Sequence, residues 1–319
     1  MKPHLHLHVG LGKCASTSLQ TYLATHRDAL LAQGLDYPDL GSGAAGNLTP
    51  FALSQRPDAA RWGARQFDFE GAADRLRAAL AAPGAPRVLL SSEALTHPEH
   101  KTDLDWVFDA CATVTVHLIL RPRAALFVAV YAQMVRAAGL YDDLASFLDS
   151  PLIQNGGAFA DILEHWQSRV GTNAVRLHFI RPHGPPIVDT VMRSIVPDGM
   201  IPSDTAPRQN RAPSAFVLVA LAYAQHPGHG SARPALGEII RTAQAFDPDP
   251  TLGLLTPDIA RDIDIRFATD TARFVGALDG ITHTDIETDA ASLHGIAFDA
   301  VLRLPAFRAC VNQLGLPAP

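Results

Sequence analysis

Hydrophobic and polar residues alternate over residues 4–9 (HLHLHV), and the alternation stops at Gly10. A period of two predicts a first strand. Residues 10–16 follow neither period and form a loop. From Ser16 or Thr17 the spacing becomes helical, with Leu19, Tyr22, Leu23, His26 and Leu30 on one face and Gly34 placed to end the helix. The chain thus opens strand–loop–helix. Residues 35–38 predict a short strand, 41–50 a glycine-rich loop and 70–82 a helix. The apolar runs at 87–92 (RVLLSS) and 113–120 (TVTVHLIL) have the character of buried parallel strands. Helices over 123–138, ending near Gly139, and 159–171 precede a strand at 174–180. Strands alternating with helices predict a three-layer α/β fold around a mostly parallel central sheet.

After about residue 198 the strand signals stop. Residues 213–225, 235–246 and 257–278 predict helices separated by turns rich in Pro, Gly and Asp. The expected organisation is an α/β core over 1–198 and, over 199–319, a helical C-terminal extension of the same domain. Internal repeats and low-complexity tracts are absent.

Composition narrows the function classes. The 319 residues suffice for a sizeable core, with 47% hydrophobic and 18% charged residues. The longest apolar runs, 124–132 and 215–224, are shorter than the roughly 20 residues that span a bilayer and predict buried helices. The first ten residues lack a continuous apolar stretch and a small-residue cleavage site, so no signal peptide is expected. A net charge of −6 argues against broad nucleic-acid binding. Cys14, Cys111 and Cys310 form neither a disulfide framework nor a zinc motif, and fit a reducing cytoplasm. Lysine is scarce: Lys2, Lys13 and Lys101 are the whole set, so a lysine inside a glycine-containing loop stands out.

That loop carries the chemistry. A helix N-terminus behind a strand offers unpaired N–H groups and the positive end of the macrodipole to an anion. Gly10 and Gly12 allow close backbone approach. Lys13 adds a full charge, and Ser16, Thr17 and Ser18 add hydroxyl donors. The pattern fails as a Walker A loop: Leu7 stands where the first glycine belongs, and Cys14 where the magnesium-binding hydroxyl belongs. The loop suits a phosphate but not a magnesium–ATP complex.

The stretch HVGLGKCASTSLQ resembles the 5′-phosphosulfate loop of sulfotransferases that use 3′-phosphoadenosine-5′-phosphosulfate (PAPS), in the form seen in bacterial members. The resemblance implies a P-loop-NTPase-like nucleotide site and metal-free transfer of a sulfuryl group, leaving the bisphosphate product PAP. It implies that residues 10–18, including Cys14 and Ala15, wrap the 5′-phosphate, that Lys13 contacts the bridging oxygen, and that Ser16, Thr17 and Ser18 hold the phosphate. The family also carries a strand ending in Arg, followed eight residues later by Ser with a Tyr nearby, which bind the 3′-phosphate. Arg121 and Tyr131 match, whereas Ala129 replaces the Ser. Losing that hydroxyl costs on the order of 1 kcal/mol, which a bidentate grip by Arg123 could offset. Arg211, in RQNRAPS, is a further candidate anchor, with Asn210 for nucleotide or acceptor. The resemblance is sharp at the loop, moderate at Glu93 and Arg121, and elsewhere a matter of element order.

Transfer to a hydroxyl needs a base. Glu93 ends the strand RVLLSS, where open α/β sheets bind ligands, and the resemblance gives a glutamate there the base role. His8 and His97 compete with it. His4, His6 and His8 share one strand face, but no Asp, Glu or Cys partner is evident nearby, so a structural role for His4 and His6 is expected and no metal. The expected function is a PAPS-dependent sulfotransferase acting on a small-molecule, lipid or carbohydrate hydroxyl, or an amine. The alternatives are a P-loop kinase-like phosphoryl transferase and a non-catalytic nucleotide-binding protein. The acceptor and the oligomeric state are not legible.

Overall fold

The structure, a computed structural model, describes residues 2–41, 46–56, 68–96, 102–181, 184–197, 213–229 and 234–319. The chain runs β1 (His4–His8), α1 (Ser16–Thr25), α2 (Arg27–Ala32), β2 (Leu35–Asp36), α3 (Thr49–Ser54), α4 (Ala72–Ala81), β3 (Arg87–Ser91), α5 (Asp105–Asp109) and β4 (Thr113–Leu120). It continues through α6 (Arg123–Gln133), α7 (Leu144–Phe147), α8 (Pro151–Gly156), α9 (Phe159–Val170), β5 (Val175–Phe179) and α10 (Ile187–Ile195). Then come α11 (Ala215–Ala224), α12 (Leu236–Phe246), α13 (Pro257–Arg266), α14 (Ala268–Gly276), α15 (Phe298–Leu302) and α16 (Pro305–Gln313). These residues form two compact units, 1–121 with 158–209 and 122–157 with 210–319.

The first unit holds a five-stranded sheet in the order β2-β3-β1-β4-β5, every pairing parallel. The α/β expectation is met. Because the strands are parallel, the turns after β1, β3 and β4 leave the same edge, which brings the 10–15 loop, Glu93 and Arg121 to one end of the sheet. The period of two in HLHLH sorts the residues of β1 by face. Leu5 aligns with Val88 and Val114, and Leu7 with Leu90 and Val116, giving an apolar layer. His8 aligns with Ser91 on one side and His117 on the other, giving a polar stripe.

The second unit is built on helices, and its one pairing among the described residues is an isolated bridge between Gly253 and Gly295. α11 is apolar on nearly every side and buried throughout except at Tyr223, as expected for that run. No helix of the described residues is long and apolar enough to cross a membrane.

Several boundaries differ from expectation. The first helix breaks at His26 into α1 and α2, and the 257–278 helix breaks at Phe267 into α13 and α14. The apolar period runs on through both breaks, so periodicity does not register them. The 123–138 helix is regular only to Gln133 and ends in a π-turn, Met134–Ala138, before Gly139 at φ 72°. Helices α3, α5, α7, α8, α10, α15 and α16 were not expected. The apolar set Ile187, Val191, Met192 and Ile195 of α10 is helical in spacing but short and follows Pro185 and Pro186. All three cysteines are free and buried.

Candidate active site

The loop after β1 begins where the sheet ladder ends. Val9 N–H still donates to the His117 carbonyl at 3.0 Å, and Cys14 N–H closes a turn on Leu11 at 3.1 Å. Lys13 and Ala15, on either side of Cys14, adopt left-handed backbone conformations at φ 67° and 61°. Such conformations cost non-glycine residues on the order of 1 kcal/mol or more and concentrate at functional sites. Turns of this kind align successive N–H groups into a concavity that suits an anion. Ala15 is the N-cap of α1 and supplies no side-chain acceptor, so the first-turn N–H groups lack a side-chain cap.

Gly10 is required by space. A Cβ there would stand 2.6 Å from both His8 Nε2 and Ser16 Oγ. Gly12 is exposed, and an added Cβ would meet only Glu93 Oε2 at 3.9 Å. Cys14 is fully buried, and burial pushes its thiol up to about 12. It anchors the loop in the apolar core. Lys13, Thr17 and Ser18 are exposed.

Two neighbouring strand ends tie the loop down. Arg121, directly after β4, donates from Nη1 to the Lys13 carbonyl at 2.9 Å, while its buried Nε makes no hydrogen bond among the described residues. After β3, Ser92 Oγ accepts from Ala94 N–H at 3.2 Å and shapes the single 3₁₀ turn that starts with Glu93. The Thr96 hydroxyl reaches the Gly10 carbonyl at 2.7 Å and fastens this turn to the loop. Burial raises the pKa of Glu93 above its ordinary value, and the Ser16 hydroxyl and the Lys13 ammonium oppose that rise. The carboxylate therefore faces the same loop as the lysine. Ser16 Oγ itself is buried and makes no well-formed hydrogen bond among the described residues.

Beneath the loop lies a polar network that sequence reasoning missed. Gln20 of α1 donates to Ser91 Oγ at 3.1 Å, and Ser91 Oγ lies 2.8 Å from His8 Nδ1. Asn47 accepts from Ser91 N–H at 2.8 Å and donates to the Leu89 and Pro38 carbonyls, each at 3.1 Å. The weak signal was an uncharged polar residue on the apolar side of a helix (Gln20) and one in a glycine-rich loop (Asn47). His8 is 0% exposed, and burial, with His178 nearby, pushes it down to about 3. It is a neutral imidazole that bulk solvent does not reach.

The other expected residues are placed elsewhere. The guanidinium of Arg123 is 1% exposed and forms an ion pair with Asp270. Its Nη1 bonds Thr271, and its Nε donates to the Gly157 carbonyl at 2.9 Å. All three nitrogens are thus engaged inside the second unit. Tyr131 is buried there too and donates to the Asp142 carbonyl at 2.8 Å, while Ala129 is half-buried on α6. His97, Asn210 and Arg211 lie outside the described residues. His4 bonds Thr113 and Thr115, and His6 bonds His117, in line with structural roles. No cluster of three or more ligating side chains occurs among the described residues.

No protein-family profile and no curated protein matches the chain. Among solved structures, a sulfotransferase from Alicyclobacillus acidocaldarius is similar at 16% identity and a TM-score of 0.48, over 86% of this chain and 95% of that one.

Proposed function

We propose that the protein is a metal-independent sulfotransferase that moves a sulfuryl group from PAPS to a hydroxyl or amine. The observation that carries the reading is the 10–18 loop. Lys13 and an uncapped helix N-terminus lie beside the half-buried carboxylate that follows β3, and two buried polar atoms beside Gly10 make no well-formed hydrogen bond among the described residues. Such a cradle fits an anion that supplies acceptors for the loop N–H groups and for Ser16. The nucleotide would be held by the backbone of residues 10–18, by Ser16, Thr17 and Ser18, and by Arg121 toward the 3′-phosphate. Arg123 is left out of this set because its guanidinium is spent on Asp270, Thr271 and Gly157.

In the transfer, the acceptor oxygen forms a bond to sulfur as the bond from sulfur to the bridging phosphate oxygen breaks. Lys13 neutralises the negative charge left on the 5′-phosphate. Glu93 takes the acceptor proton. His8 is unsuited to that task, being fully buried and neutral. A magnesium-dependent kinase would need a hydroxyl where the chain has the buried Cys14. The acceptor is a small molecule, a lipid or a carbohydrate, and the free thiols fit a reducing cytoplasm.

Thermal-shift titration with PAP, ATP and AMP in the absence of metal tests the reading. Stabilisation by PAP alone is expected, with at least a tenfold loss of PAP affinity in Lys13→Ala. Equal stabilisation by ATP, or a strict magnesium requirement, would overturn it in favour of phosphoryl transfer.

A further inference from the structure

His8 ends β1 directly below the phosphate loop, and its two ring nitrogens are in opposite situations. Nδ1 is 2.8 Å from Ser91 Oγ, whereas Nε2 is buried without a hydrogen-bond partner among the described residues. The Ser91 hydroxyl receives an N–H from Gln20 at 3.1 Å. Of its two partners among the described residues, only His8 Nδ1 can accept, so the hydroxyl's own hydrogen is satisfied only if it is donated there. The neutral ring then carries its proton on Nε2. That N–H lies against the spot where a Gly10 Cβ would be, and Ser16 Oγ lies against the same spot from the other side, each 2.6 Å away. Two buried polar groups without well-formed bonds flank one point under an anion cradle. A buried imidazole N–H is costly to leave unpaired.

We infer that His8 is a positioning residue that sets the direction of the Ser16 hydroxyl: when the phosphate loop is filled, His8 Nε2–H donates to Ser16 Oγ, and the Ser16 hydrogen turns to the phosphate. This rests on the sulfotransferase reading for the identity of the anion. The donors then run one way, from Gln20 to Ser91 to His8 to Ser16 to the ligand. Orientation of this kind, imposed by a second layer of hydrogen bonds, tightens a site without touching the ligand. It also draws the Ser16 hydroxyl away from Glu93, whose charged form that hydroxyl favours. The carboxylate is thereby freed for the acceptor proton. Gly10 is the necessary third partner, since any side chain would occupy the meeting point.

Two variants separate the ring nitrogens. His8→Asn keeps a polar group near Nδ1 and lacks a donor near Nε2, while His8→Gln extends an amide N–H toward the Nε2 position. PAP affinity is measured by calorimetry and folding by thermal melts. His8→Asn should weaken PAP binding roughly ten- to a hundredfold, and His8→Gln should recover most of the loss. Nitrogen-15 spectra of the histidine-labelled wild type supply a readout that does not depend on the variants folding. His8 should appear as the Nε2–H tautomer and shift on PAP addition, and this shift should be absent in Ser16→Ala. Wild-type PAP affinity in His8→Asn overturns the inference and leaves the sulfotransferase reading intact. Equal loss in both folded variants, or an Nδ1–H tautomer, does the same. A wild type that does not bind PAP overturns both.

Discussion

Glu93 sits between opposing influences: burial disfavours its charge, and Lys13 and Ser16 favour it. Burial is the largest, so its folded-state pKa lies above the ordinary value. A carboxyl shifted this way weakens the fold as pH rises through the interval above its unfolded pKa, where the native state holds a proton that the unfolded chain has released. Glu93→Gln should therefore raise the melting temperature at neutral pH but not at pH 4. The same change should cut turnover by roughly 10²–10⁴, with PAP affinity kept or improved because a negative charge leaves the cradle. Loss of PAP binding in Glu93→Gln would contradict the assignment of Glu93 as base. Gly10 permits an equally sharp expectation. Gly10→Ala forces a methyl into the point shared by His8 and Ser16, at a cost of about 1–3 kcal/mol, and denaturant melts should show it together with loss of PAP binding.

At the scale of elements, the polar face of the sheet holds a stripe of histidines contributed by β1, β4 and β5. His6 Nδ1 meets His117 Nε2 at 3.0 Å, and His117 Nδ1 meets His178 Nε2 at 3.0 Å. Each contact has room for one hydrogen, so the chain is closed only while the rings are neutral. Burial lowers all three, His6 to about 3, His178 to about 4 and His117 well below its ordinary value. The neighbouring cations Arg87 and Arg176 act in the same direction. The sign follows: unfolded histidines take up protons below about pH 6.5 while the native ones do not. The stability these rings allow is present above that pH and lost as pH falls. Each contributes a slope of about 1.4 kcal/mol per pH unit, so the three together give about 4. Urea denaturation at pH 5.0, 5.5, 6.0 and 7.5 should show this decline. A flat profile would mean that the rings are charged or exposed.

At the scale of the molecule, the chain leaves the first unit after Arg121, re-enters it at 158 and leaves again after 209, so the second unit is assembled from two separated stretches. Arg123, at the start of the first stretch, pairs with Asp270 in the second. Arg123→Met should remove the cation paired with the largely buried Asp270 and cost about 3–5 kcal/mol, read as a lower melting temperature, with PAP affinity retained in the folded protein. A large loss of PAP affinity without loss of stability would return Arg123 to the nucleotide set. By itself the sequence determined the α/β class, the parallel strands and the strand–loop–helix opening of the chain. Those depend on local periods and on a loop chemistry written in consecutive residues, and the 113–120 strand coincides with β4. What only the tertiary structure decided are matters of registry between distant segments. The alignment of His8 with Ser91 and His117 turned a candidate base into a buried ring with one nitrogen unpartnered among the described residues. The folding of 257–278 back onto 122–157 gave Arg123 a carboxylate partner that no local spacing reveals. A side chain's period along the chain states which face it takes, but its partners are set by whatever lies across that face.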